Sequence, residues 1–279
     1  MKDAKFVKIN EPEINEFAKK MKTTVPRQFD PPEDPFDPLL ETLSHLIASS
    51  INYCYWYGKN DIRPNDSSSG KMYHIVENTV KHFKDDVMVS NTRKLKKTIR
   101  FIIEQLADER FPMLEERKNH LLELVRDGYK FSEFISKNNA NDYQTLNDHM
   151  GLLIRKFPGF ASDMFLKRAS LFFLMLHRRF GWYKDGVKMI HIPADYQVPK
   201  LMHFFGLIYY TSNLRHRIEN NILIEKYSQM ECEIRAATVL TCLKLCKLTE
   251  WNTSEVDAWF WLRRSECKSP FHLTITTDY

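Results

Sequence analysis

The most usable chemistry in the chain centres on one aspartate at the start of a helix. The stretch from Ile190 to Gly206 reads IHIPADYQVPKLMHFFG. A β-favouring run ends at Pro193, Asp195 follows, and Val198, Leu201, Met202 and Phe205 then recur at helical spacing, so that they share one face. Asp195 falls at or near the helix start, where free backbone N–H groups stabilise an anionic carboxylate. Pro199 is tolerated there because first-turn N–H groups lack partners anyway. The plainer reading of Asp195 is an N-cap, and the company this stretch keeps decides whether it does more.

Other reactive residues are scattered along the chain. Lys167 and Arg168 open a strongly apolar helix, so each either snorkels outward or is directed at an anion in a pocket. The segment ASSINYCYWYG carries Asn52, Tyr53, Tyr55, Trp56 and Tyr57 just before Gly58. Such density suits a core, but rings that stack beside an amide that pairs also suit a planar base. Asp257 lies one turn from Trp261, and the tail closes with His272 and Tyr279, as a plug over the core or as the lining of a pocket.

The elements that must position these groups read as helices. At 279 residues, with 43% hydrophobic residues and Gly 8, the chain builds a real core and favours a mainly helical fold with at most a few short strands. Residues 1–38 end in the Pro/Asp-rich run FDPPEDPFDP and read as an irregular N-terminal arm; residues 39–279 read as one helical domain. Helical spacing runs through 72–83, 92–111, 111–125, two shorter helices between 130 and 157, 212–224 and 231–248. The polar KNDIRPNDSSSGK reads as a loop that closes over a site or is disordered. KMIHIP reads as strand-like.

A net charge of +5 suits an anionic small substrate, a nucleic acid or merely a solvated surface. The five cysteines form no CxxC pair and read as reduced thiols of a cytoplasmic or nuclear protein, with no metal site and no cofactor implied. The charged start carries no apolar signal core, and the longest apolar block, 171–176, is too short for a membrane span.

Five pieces in fixed order, SINYCYWYG, FPMLEER, FLKRAS, ADYQVPK with EIRAAT, and VDAWFWL with PFHLTITTDY, resemble the queuosine 5′-phosphate N-glycosylases of queuosine salvage. The resemblance covers about residue 40 to the C-terminus. It implies an architecture similar to helix–hairpin–helix DNA glycosylases, although FPGF lacks the hairpin's second glycine and no iron–sulfur cysteine quartet follows. It also implies hydrolysis of an N-glycosidic bond, with release of queuine from the 5′-monophosphate, and Asp195 as the catalytic carboxylate. Lys167 is then the phosphate or carboxylate partner, and Asp257 a hydrogen-bonding group for the base or its diol arm. Asn52, Tyr53, Trp56 and Tyr196 become base-recognition residues, and His272 and Tyr279 close the pocket. Two alternatives stay open: a glycosylase acting on a modified base in nucleic acid, and a non-catalytic nucleotide- or RNA-binding helical module. A small-molecule nucleotide is the expected partner, ahead of any stable nucleic-acid complex.

Overall fold

Apolar residues at three- and four-residue spacing dictate the helices that build the frame, with Leu95, Ile99, Ile102 and Leu106 of one such helix all buried. The computed structural model describes residues 3–24, 37–56, 67–87 and 92–279. In chain order the elements are β1 (Val7–Ile9), α1 (Glu11–Lys22), α2 (Pro38–Ser50), α3 (Ser67–His82), α4 (Lys84–Val87) and α5 (Thr92–Asp108). Then come α6 (Leu114–Asn138), α7 (Tyr143–Lys156), α8 (Pro158–Ala161), α9 (Lys167–Phe180) and a 3-10 turn over Gly186–Met189. The last are α10 (Gln197–Phe204), β2 (Ile208–Tyr210), α11 (Ser212–Glu219), α12 (Gln229–Thr249), α13 (Thr253–Leu262) and a short 3-10 turn. The fold is mainly α, as the composition implies, and no helix among the described residues is long and apolar enough to cross a membrane.

Two apolar cores organise these elements. The first joins α2, α3, α5, α6, α7 and α9 through residues such as Leu46, Ile99, Leu124, Leu153 and Phe172. The second joins the N-terminal elements to α10, α12 and α13 through Phe17, Met21, Leu201, Ile234 and Phe260. Phe17 packs on Phe205, Trp259 and Phe260, with ring centroids 5.1, 5.2 and 6.2 Å away.

Five readings of the sequence change. The irregular arm expected over 1–38 contains β1 and α1, because Ile14, Phe17, Ala18 and Met21 make an apolar face that the second core buries. Of the Pro/Asp-rich run, residues 29–36 lie outside the described residues; Asp37 caps α2 by accepting from Leu39 N at 2.8 Å. KMIHIP is not a strand: it makes the 3-10 turn and then extends without a ladder. Ile190 O accepts from the Thr253 Oγ1 at 2.8 Å, and Pro193 O from Asp195 N at 2.8 Å. The small sheet pairs β1 with β2 antiparallel, Val7 opposite Tyr210.

The helix expected over 111–125 continues to Asn138, since Phe131, Ser132 and Ile135 prolong its buried face. The expected loop over 59–71 ends earlier, with 67–71 in the first turns of α3; its remainder lies outside the described residues. The tyrosine-rich segment also leaves the helix, for α2 stops at Ser50.

Burial, and after it the Arg235 charge, holds His272 neutral, its pKa lowered to about 3. The unfolded chain therefore takes up a proton near the ordinary histidine value before the native state does, and stability declines as pH falls through that window. We expect this one side chain to remove about 2 kcal/mol of stability between about pH 7.5 and about pH 5. Denaturant titrations of the wild type and His272→Phe measure it: the substituted protein should show the shallower pH dependence.

Candidate functional site

At the entry to α10 the chain turns tightly, Asp195 N donating to Pro193 O at 2.8 Å. The Asp195 carboxylate then receives Gln197 N at 2.8 Å and Val198 N at 3.1 Å, both on Oδ1. Asp195 thus holds the first N–H groups of α10 from one residue before its N-cap, Tyr196. The same carboxylate also lines a cavity, and burial raises its pKa above the usual carboxylate range. Lys167 and the two cap N–H groups pull it back down, while Asp257 pushes it further up.

Lys167 begins α9 and does not snorkel. Only 2% exposed, it donates from Nζ to Asn52 O at 2.8 Å and Asn52 Oδ1 at 2.6 Å. Burial lowers its pKa to about 8, Asp195 and Asp163 acting against that fall and Arg168 and Arg235 with it. Arg168, equally buried, turns the other way and donates to Ser50 O and Gly159 O. Arg117 of α6 donates to Ile51 O, to Tyr53 O at 2.5 Å and to Pro112 O at 2.8 Å. Three buried cations therefore take the carbonyls that α2 leaves unpaired at its end. That capture ends the helix and fixes Asn52 to Tyr55 in an irregular path, with the Arg117 guanidinium 4.5 Å from the Tyr53 ring centroid.

A second buried pair ties the two reactive groups together. Asp163 Oδ2 accepts from Lys167 N at 2.8 Å and so anchors the first residue of α9. Arg235 of α12, fully buried, meets both Asp163 oxygens at 2.7 Å and donates from Nε to Ala194 O at 2.9 Å. Its guanidinium lies between the rings of Phe165 and Tyr279, each centroid 4.4 Å away. Against the effect of burial, Arg235 holds Asp163 below its usual range. One carboxylate–guanidinium fork thus spans from the residue that carries Lys167 to the residue before Asp195.

The cavity, of about 270 Å³, sits where the two cores meet. One wall is Asn52, Tyr53, Tyr55 and Tyr73, with Ser69 and Gly70 at the start of α3. A second wall is the stripe Lys167, Leu171, Met175 and Arg178 of α9. The α10 entry supplies Asp195, Tyr196 and Val198, and Asp257, Trp261 and Tyr279 complete the enclosure. Arg178 Nη2 donates to Asp257 Oδ2 at 2.5 Å. The Tyr196 ring packs on Phe271, centroids 4.3 Å apart.

Of the residues the sequence points to, Asp195, Lys167, Asp257, Asn52, Tyr53, Tyr196 and Tyr279 converge here. Trp56 and His272 do not line the cavity. Trp56 is buried in the first core, and His272 stands behind Tyr279, its Nε2 3.0 Å from the Tyr279 hydroxyl. Both belong to runs of aromatics in which only some side chains can face one cavity. Arg178 and Tyr73 were not singled out. Arg178 had a signal, since it continues the stripe that Lys167 starts at spacings of four, four and three. Tyr73 had none, because helical periodicity cannot say which part of α3 meets α9 and α13.

The FPGF turn is also spent internally. Gly159 N donates to Glu123 Oε2 at 2.9 Å and its carbonyl is taken by Arg168, so this turn offers no free N–H to a phosphate. Among the described residues, no three His, Cys, Asp or Glu side chains converge as a metal site would require.

A helical fold with a half-buried carboxylate and a buried ammonium under aromatic walls is of the class whose enclosed cavity suits a small polar molecule. Comparison narrows the class. The chain belongs to the queuosine salvage protein family, whose profile matches residues 42–277. It is similar to the queuosine 5′-phosphate N-glycosylase/hydrolase of Dictyostelium discoideum, 24% identical over 262 residues that cover 84% of this chain and 77% of that protein. It is likewise similar to the protein of that name from Sphaerobacter thermophilus, 23% identical over 266 residues, covering 84% and 80%.

Removing Arg235 leaves Asp163 buried and unpaired and releases the Ala194 carbonyl. We expect Arg235→Met to lower stability by about 3–5 kcal/mol. Chemical denaturation checks this, and a loss below about 1 kcal/mol would show that the pair is no stronger than a surface bridge.

Proposed function

We propose that this protein is an enzyme that hydrolyses the N-glycosidic bond of queuosine 5′-phosphate, releasing queuine and leaving ribose 5-phosphate. The observation that carries the reading is the placing of Asp195 and Lys167 on the wall of one enclosed aromatic cavity in a chain from this family. As the bond from C1′ to the base nitrogen breaks, its electron pair leaves with the base and positive charge builds on the ribose ring. The Asp195 carboxylate stabilises that charge and orients, or takes a proton from, the attacking water, whose oxygen becomes the new hydroxyl on C1′. A proton delivered to the departing nitrogen completes the balance.

Lys167 keeps the carboxylate ionised and offers its charge to the 5′-phosphate. Tyr53 and Tyr196 supply stacking surfaces, Asn52 an amide for the base edge, Asp257 an acceptor, and Tyr279 the closing wall. The Oδ1 cap bonds help as well: they fix the carboxylate's orientation before substrate arrives, so no reorganisation is needed at the moment of reaction.

Incubation with queuosine 5′-monophosphate, following free queuine by chromatography, tests the reading. The wild type should release the base, and a well-folded Asp195→Asn protein should be slower by about 100-fold or more. Substantial turnover by that variant would remove Asp195 from the mechanism. Base released only from oligonucleotides, with steep salt dependence, would instead assign a polymeric substrate. Lys167→Ala should lose more activity on the 5′-phosphate than on the free nucleoside; equal losses would exclude it from phosphate recognition.

A further inference from the structure

A strongly basic surface lies on α5, outside the site described above. Thr92 to Phe101 reads TRKLKKTIRF, five cations with no carboxylate before Glu104. Leu95, Thr98, Ile99 and Ile102 turn inward, which leaves Arg93, Lys96, Lys97 and Arg100 exposed. This charge pattern works against the helix that carries it. Arg93 and Lys94 sit in the first turn, at the positive end of the helix dipole, and no acidic residue accompanies them there. Arg93 with Lys97, and Lys96 with Arg100, are like charges four residues apart, which repel on a helix surface. An anion laid along this face relieves both costs.

Rings set among the cations say which kind of anion. The basic side chains border a groove of about 760 Å³ together with Phe83 and Phe101, and the one carboxylate in its lining, among the described residues, is Glu104. Phe101 is 38% exposed and meets Phe83 edge-on, centroids 5.6 Å apart, with His82 stacked on it at 6.5 Å. Lys97 Nζ lies 4.9 Å from the Phe83 ring centroid. Cations interleaved with exposed rings match a chain of phosphates that carries stackable bases. An acidic peptide would use the charges alone, and a bilayer takes apolar side chains that project, whereas these rings line a concavity. The groove is also remote from the cavity: Gly70 lines the cavity and Phe83 the groove, thirteen residues and about 20 Å apart along α3.

We propose that the α5 groove is a docking surface for single-stranded RNA, with its cations against the phosphates and Phe101 against a base. The surface itself argues for a single-stranded nucleic acid; the choice of RNA rests on the ribonucleotide substrate of the functional reading above.

The full chain is titrated with a fluorescein-labelled oligoadenylate of about 12 nucleotides. Oligodeoxyadenylate of the same length, a poly-glutamate peptide and phosphatidylserine vesicles serve as comparisons. The RNA should bind with a Kd below about 100 μM at physiological salt, and log K should fall against log salt with a slope of about −2 to −3.5, or about 0.7 per phosphate. The double variant Lys96→Gln, Lys97→Gln should shrink that slope by about 1.4, and its thermal midpoint should stay level or rise because like charges are removed. Phe101→Leu keeps the apolar bulk without the ring; it should weaken the RNA about fivefold, leave the salt slope in place and leave the peptide unaffected. Base release from queuosine 5′-monophosphate should be unchanged in both variants. Absence of RNA binding, tighter binding of the DNA, the peptide or the vesicles, an unchanged slope in the lysine variant, or equal losses on RNA and peptide in Phe101→Leu would overturn the proposal. Binding is read without turnover, so failure of the docking surface and failure of the functional reading are distinguishable.

Discussion

The site depends on a single buried ion pair that never touches the cavity's contents. Asp163 and Arg235 meet through two bonds of 2.7 Å, and each then reaches one step further, Asp163 to Lys167 N and Arg235 to Ala194 O. Neither α9 nor the α10 entry contains in its own sequence what would fix it relative to the other. The extended run before Asp195 has no sheet to hold it, so the guanidinium substitutes for a ladder. Burying such a pair carries a desolvation penalty that only good geometry and further hydrogen bonds offset. Here the fork is bidentate, the remaining N–H finds a carbonyl, and two aromatic rings cover the guanidinium faces. A lysine would supply the charge without the flat fork, and could not meet the carboxylate and the carbonyl at once.

Above that clamp, the two reactive groups set each other's charge. Burial acts on both in the direction of neutrality, raising Asp195 and lowering Lys167. Their mutual attraction opposes it, and the cap N–H groups add to the anionic side. A carboxylate whose pKa burial raises, near an ammonium whose pKa burial lowers to about 8, is the kind of perturbed pair that functional sites carry. The second carboxylate, Asp257, raises Asp195 further although Arg178 pairs with it at 2.5 Å. The cavity wall thus carries one tight ion pair, Arg178 with Asp257, and a second carboxylate and ammonium that act on each other through their charges.

Much of this was legible in the sequence, for a physical reason. Periodicity locates buried helix faces, and a polar residue at a helix start is a strong local signal; hence the α10 entry, Asp195 as a cap, and Lys167 at the head of α9 were readable. What periodicity cannot give is a third dimension. Arg117, Arg168 and Arg235 look like ordinary surface cations in EERK, KRAS and EIRAAT, yet all three are wholly buried and spend their donors on backbone or carboxylate. Nothing local says that Lys167, Arg117 and Arg168 will converge on the end of α2 and turn the tyrosine-rich segment into an irregular strap. The β1–β2 pairing was hidden for the same reason: its two strands are three residues each and lie some two hundred residues apart. Among the aromatics, Trp56 and Tyr55 are neighbours in sequence, but only Tyr55 lines the cavity.

The measurement that bears most directly on the paired-charge account is the pH dependence of kcat/KM for queuosine 5′-monophosphate in the wild type and in Lys167→Met. If the proposed mechanism holds, the acidic limb in the wild type should report Asp195, its pKa raised by burial, and the alkaline limb Lys167, lowered to about 8. Removing the ammonium removes the charge that lowers the Asp195 pKa, so the acidic limb should move to higher pH and the alkaline limb should vanish. An acidic limb that stays in place, together with an alkaline limb that persists, would contradict the account, because the two groups would then not be setting each other's ionisation.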